Sequence, residues 1–179
     1  MSERPEILEV TSMTRELHCY EYVNHSYAEV KRVLLVDPIA LFQRATAAAV
    51  NRATSVAAHL SANVGALEVG TGITIELAGV EEGKTHSVLG VPVTHLKLKW
   101  VAAQAAALFP SMTAELSVFP LSGTETQVVL DGQYQPPLGA VGVAVDAILM
   151  HRVAEASVHR FVRQLSERIR LEIEEAGPT

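Results

Sequence analysis

Between Ile73 and Tyr134 apolar residues recur at every second position, and beyond Leu138 they recur at the helical period. That switch constrains the fold more than any other feature of the chain. Ile73, Ile75 and Leu77 alternate with Thr74 and Glu76, and Leu96, Leu98 and Trp100 alternate with His95, Lys97 and Lys99. Met112, Ala114, Leu116 and Val118 form a third run, and Thr126, Val128, Leu130 and Tyr134 a fourth, with Gly132 among its inward positions. A period of two with one apolar face marks half-buried antiparallel strands. Turn signals at Glu82-Gly83, Gly90 to Pro92, Pro110-Ser111 and Ser122-Gly123 are expected to separate them.

From about Leu138 to Glu175 the spacing predicts one long amphipathic helix. Ala147, Met150, Ala154, Val158, Phe161, Leu165 and Ile169 fall on one stripe, with Arg152, Arg163, Ser166 and Arg170 opposite, and Gly177-Pro178 ends it. The junction before this helix, DGQYQPPLGAVG, explains how the two periods meet. Pro136 and Pro137 lack the N–H groups that a ladder needs, so pairing stops after Tyr134. Gly139 and Gly142 leave the start of the helix bare enough to approach the sheet or to leave room beneath it.

Upstream, Leu17 to Asn24 reads as a strand, Tyr27 to Val36 as a short helix interrupted at Asp37-Pro38, and Ile39 to His59 as one or two alanine-rich helices. Glu21 falls among Leu17, Cys19 and Val23 by alternation, which would make it an inward carboxylate, but a local bulge or a solvent-facing edge is the expectation there. The 179 residues suit a single domain spanning 1–179, with about ten N-terminal and four C-terminal residues loose. With 49% hydrophobic and 19% charged residues, disorder is excluded, and no apolar run is long enough for a membrane span. The first residues show no cationic start followed by an apolar stretch, and Cys19 is the only cysteine, so a cytoplasmic, reducing setting is expected. A net charge of -6 with scattered Lys and Arg disfavours nucleic acid as a partner.

GQYQPPLGAVG, the following DAILMHRVAEASVHRFVRQL and the preceding FPLSGTETQVVLDG resemble the START-like, or polyketide cyclase/dehydrase-like (SRPBCC), helix-grip superfamily. Leu34-Leu35-Val36-Asp37-Pro38 is similar to the end of that superfamily's first short helix. The resemblance implies an α+β fold in which a curved antiparallel sheet wraps around a long C-terminal helix, with short helices after the first strand. It also implies a cavity between sheet and helix for an apolar or aromatic small molecule. The alanine-rich stretch from Ala47 to Gly65 is longer than the superfamily pattern.

Several local motifs have plainer readings. Ala78 to Thr85, AGVEEGKT, matches a loose phosphate-loop pattern, but no helix follows it and Glu81 and Glu82 would repel phosphate, so a hairpin turn is expected. Gly70-Thr71-Gly72 lacks the third glycine of a dinucleotide loop. His151, Glu155 and His159 stand four residues apart, yet helical drift turns His159 about 80° from His151, so no metal site is expected. His151, on the apolar stripe, is either a satisfied core residue or a ligand contact and acid/base group. Trp100, Met112, Leu116 and Tyr134 suit either a closed core or a cavity lining. With Met150, His151 and Ala154 they make the expected ligand-binding set, and no cofactor is expected. The leading expectation is a carrier or sensor that binds a small hydrophobic or aromatic ligand, as a monomer or a homodimer. The alternative is a cyclase/dehydratase-type enzyme using His151 or Tyr134 as acid/base, and a third class, an interaction module, would have a filled core.

Overall fold

A computed structural model describes residues 14–47, 73–84, 90–102, 111–135 and 147–177. The described elements are β1 (Arg15–Val23), α1 (Tyr27–Val36), α2 (38–47), β2 (Ile73–Lys84), β3 (Pro92–Ala102), β4 (Ser111–Pro120), β5 (Thr126–Gln135) and α3 (Ala147–Ala176). The strands form one five-stranded antiparallel sheet in the order β1-β5-β4-β3-β2. Curved around a C-terminal helix, with two short helices after β1, it is a helix-grip-like α+β fold.

Local chemistry sets the ends of the short helices. Ser26 caps α1 reciprocally: its hydroxyl accepts from the Glu29 amide at 3.4 Å, while the Glu29 carboxylate accepts from the Ser26 amide at 3.0 Å. Asp37 ends α1 and starts α2, its carboxylate accepting from the Ala40 amide at 3.0 Å. Thr126 ties the turn before α1 to the sheet by donating its hydroxyl to the His25 carbonyl at 2.8 Å. Gly177 follows α3 with a φ of 71°, the left-handed conformation that glycine adopts without a Cβ clash.

The core lies between the inner sheet face and the helices. Val30, Val33 and Leu34 of α1, Leu41, Phe42 and Ala45 of α2, and Val158, Phe161, Val162, Leu165, Ile169 and Ile173 of α3 are buried against Leu96, Leu116, Leu130 and their neighbours on the strands. Phe161 joins the layers, with its ring centroid 5.2 Å from that of Trp100 on β3, edge to face, and 6.1 Å from that of Phe42 on α2.

Three expectations are corrected. Glu82-Gly83 is not a turn: β2 continues to Lys84, with Glu82 opposite Thr94 and Gly83 opposite Val93. The register slips between Leu77 and Gly79, so Ala78 is an extra residue that shifts the phase of the strand. The alternation therefore breaks at Leu77 although the strand does not. Ser166 is not opposite the apolar stripe but fully buried, because Val162, Ile169 and Ile173 widen the buried face of α3 around it. For Glu21 only the bulge is overturned: the β1–β5 ladder is unbroken, while β1 is the edge strand of the sheet and the side chain is half-buried. Pro136, Pro137, Gly139, Gly142, Gly70 to Gly72 and the alanine-rich stretch beyond residue 47 lie outside the described residues.

Candidate functional site

The register aligns the inward residues into rows that cross the sheet. One row runs Ile75, Trp100, Met112, Tyr134, Arg15, from β2 across to β1. The next runs Leu77, Leu98, Ala114, Gly132, Leu17, and beyond it come Leu96, Leu116, Leu130 and Cys19. The first and third rows carry large side chains, whereas the middle row places its two smallest members, Ala114 and Gly132, directly opposite each other on β4 and β5. A Cβ built on Gly132 would stand 3.3 Å from Ala114 Cβ and 3.4 Å from Met112 Sδ. Leu130 Cδ2 would stand at 3.6 Å from the same atom, so Ala114, Met112 and Leu130 pack closely over Gly132.

Of the ligand-binding set expected from sequence, Trp100, Met112 and Tyr134 come together on adjacent strands in one row, each of them buried. Leu116 lies four residues along β4 from Met112, about 13 Å away at the rise of an extended strand, and belongs to the packed row beneath the helices. Met150, His151 and Ala154 are on α3, and their side chains lie outside the described residues. His159 is exposed, and among the described residues no group of three His, Cys, Asp or Glu side chains could hold a metal ion.

Arg15 is the member of this row that the sequence reading did not pick out. It stands opposite Tyr134 in the β1–β5 ladder, half-buried, and close enough for its charge to act on the phenol. Residues 15, 17, 19, 21 and 23 share one parity, so its inward place follows once β1 begins at Arg15 rather than Leu17. The Tyr134 phenol is held above its ordinary pKa of 10.0, chiefly by burial, with the Arg15 charge and hydrogen bond opposing and the exposed Glu155 carboxylate adding to the rise. At neutral pH it therefore stays protonated, able to donate a hydrogen bond or a proton but unsuited to act as a base. Cys19, in the third row, has its thiol pushed up to about 12 by burial and then by Asp131 and Glu21, which makes it inert.

The opposite face of the sheet carries a Ser/His/Glu group that the sequence reading did not foresee. His95 Nδ1 lies 3.0 Å from Ser117 Oγ and 2.8 Å from Glu115 Oε1. Both partners use the same ring nitrogen. A proton relay needs serine on one nitrogen and the carboxylate on the other, so this group is a surface cross-strand network rather than a nucleophilic site.

No protein-family model matches the sequence, and no curated protein matches it either. Solved structures do match. The Zhui aromatase/cyclase from Streptomyces sp. R1128 aligns with 16% identity and a TM-score of 0.50, covering 93% of this chain and 100% of that one. Norcoclaurine synthase from Thalictrum flavum, solved with dopamine and hydroxybenzaldehyde, aligns with 13% identity and a TM-score of 0.42 over 96% of this chain and 95% of that one. At 16% identity the likeness to the aromatase/cyclase establishes the fold and leaves the chemistry to the residues.

Proposed function

We propose that this chain binds a small hydrophobic or aromatic molecule between the sheet and α3, as a carrier or sensor. The observation that carries this reading is the buried row of Trp100, Met112 and Tyr134 across three adjacent strands of the inner sheet face. The aromatase/cyclase that shares the fold supports the reading as an analogy of architecture. Burial of apolar ligand surface at about 25 cal/mol per Å² supplies the drive, offset by the loss of ligand freedom.

The alternative reading, a cyclase/dehydratase-type enzyme, draws on one observation: a buried, protonated phenol with a guanidinium beside it is a suitable proton donor to a carbonyl. A binding protein holds its ligand unchanged, whereas an enzyme releases a product that differs by loss of water or by ring closure.

The test is titration with a neutral fluorescent probe, N-phenyl-1-naphthylamine, on the wild type and on Ala114→Leu. The wild type should enhance probe emission saturably. The leucine adds bulk to the inner sheet face beside Met112 and should weaken binding at least about tenfold, with overpacking costing about 1–3 kcal/mol of stability. No saturable binding to the wild type, or undiminished binding to a folded Ala114→Leu, would refute the location.

A further inference from the structure

We propose that the outer face of the sheet, at the end closed by the β4–β5 turn, is a docking surface for a cationic, amphipathic segment of a partner protein. The surface lies on the side of the sheet away from α3 and does not depend on the ligand reading above.

The outward rows change character along the strands. Glu16, Gln133, Thr113 and Lys99 form one row, and His18, Asp131, Glu115 and Lys97 the next, as a face in water requires. The rows nearer the turn run Tyr20, Val129, Ser117, His95 and then Tyr22, Gln127, Phe119. Val129 points outward there yet is only 8% exposed, while Tyr20 and Tyr22 stay 48% and 41% exposed. Leu121, where the chain leaves β4, is 47% exposed, and Phe119 is half-buried. The rings of Tyr20 and Tyr22 meet edge to face with centroids 5.5 Å apart, so the aromatic surface is continuous. A contiguous exposed apolar patch rimmed by polar side chains is the mark of an interaction site, and tyrosine is among the residues enriched in such sites.

Charge and shape select the occupant. Glu125, in the turn and next to the Thr126 that pairs with Val23, makes no ion pair among the described residues. Asp131 and Glu115 stand directly opposite each other, and each is paired with a histidine, His18 at 2.6 Å and His95 at 2.8 Å. The nearby cations are engaged: Lys97 is held by Glu81, and the Arg170 guanidinium of α3 donates to the Tyr22 carbonyl. An aromatic patch with a carboxylate margin attracts lysine and arginine through both the ring faces and the charge. A second copy of this chain, with its net charge of -6, or an anionic bilayer would instead bring like charge. Because the sheet curves around α3, this face is convex. Two such faces meet over a small area, whereas a specific dimer needs a broad one. A single segment can lie across the rows.

The experiment titrates two fluorescein-labelled peptides, KLLKLLLKLLK and ELLELLLELLE, which share an apolar face and differ in the sign of their charge. Fluorescence polarisation should show saturable binding of the lysine peptide, with the glutamate peptide at least about tenfold weaker. The double variant Tyr20→Ser, Tyr22→Ser leaves the net charge unchanged and should weaken the lysine peptide about tenfold, and Glu125→Gln should weaken it about threefold. Amide resonances that move on binding should belong to Tyr20, Tyr22, Leu121 and Val129 and not to α3. Should the double variant not fold, Tyr20→Ser alone and the amide shifts decide. No saturable binding of the lysine peptide, equal affinity for the two peptides, an unchanged affinity in the tyrosine variants, or shifts confined to other surfaces would overturn the inference. So would a dimer in sedimentation, or co-sedimentation with phosphatidylglycerol vesicles, that the tyrosine substitutions abolish, because either result gives the face to a different occupant.

Discussion

Cys19 shows how one buried side chain writes itself into the pH dependence of the whole fold. Its thiol sits among Leu17, Leu130 and Leu116, and its pKa is raised from an ordinary 9.0 to about 12. In the unfolded chain the thiol loses its proton near pH 9, whereas in the fold it keeps it. Between those limits the unfolded state holds fewer protons, so stability falls as pH rises, by up to about 1.4 kcal/mol per pH unit from this group. Chemical denaturation from about pH 8 to about pH 10 should therefore show a downward slope in the wild type that is flatter in Cys19→Ala, although the alanine variant starts less stable. Equal slopes would show that the thiol is accessible to water. Cys19 was legible as buried from its alternation with Leu17 and Val23, but Ser166 was not. A serine at the margin of an apolar stripe looks solvated until Val162 and Ile173 join the buried face, and its hydroxyl then has no hydrogen-bond partner among the described residues. Arg15 was missed for the converse reason: parity places it inward, but a charge at the start of a run reads as the end of a strand.

Elements were most legible where a chemical punctuation mark coincides with a change of period. α1 begins at a Ser-x-x-Glu capping box and ends at Asp37-Pro38, so its span follows from sequence. The cap is also testable. Ser26→Ala should cost about 1 kcal/mol, read as a lower denaturant midpoint. The Glu29 carboxyl is held below its ordinary 4.5, chiefly by the Ser26 hydrogen bonds. Its share of the cap is thus present above pH 4.5 and lost as pH falls through the depressed value. Wild type and Ser26→Ala should therefore converge in acid, and a difference that persists there would assign the cap to Ser26 alone. β2 shows the limit of periodicity. One extra residue, Ala78, reverses which side chains face inward, sending Glu81 outward to Lys97 and Glu82 to Lys31 of α1 at 2.7 Å. A phase slip inside a strand and a turn between strands leave the same mark in sequence.

At the scale of the molecule, a sheet that curves around a helix was legible because strands with one apolar face need a cover and an amphipathic helix supplies it. A ligand site was not, because Trp100, Met112 and Tyr134 look the same in sequence whether they pack or line a space. If α3 is an integral part of the core, the chain should unfold as one unit, and two independent signals report on it. Trp100, the single tryptophan, is 8% exposed and packs on Phe161, so its emission reports the contact between sheet and α3. Far-ultraviolet circular dichroism reports the helices themselves. In denaturant the two transitions should coincide. Phe161→Ala removes the ring that joins Trp100 to Phe42 and should lower stability by about 3–5 kcal/mol while moving both signals together. If tryptophan emission shifts red at a denaturant concentration where the helical signal is intact, α3 leaves the sheet as a separate unit. The space beneath it would then be created by detachment rather than built into the fold, and a ligand would have to stabilise the grip instead of entering one already closed.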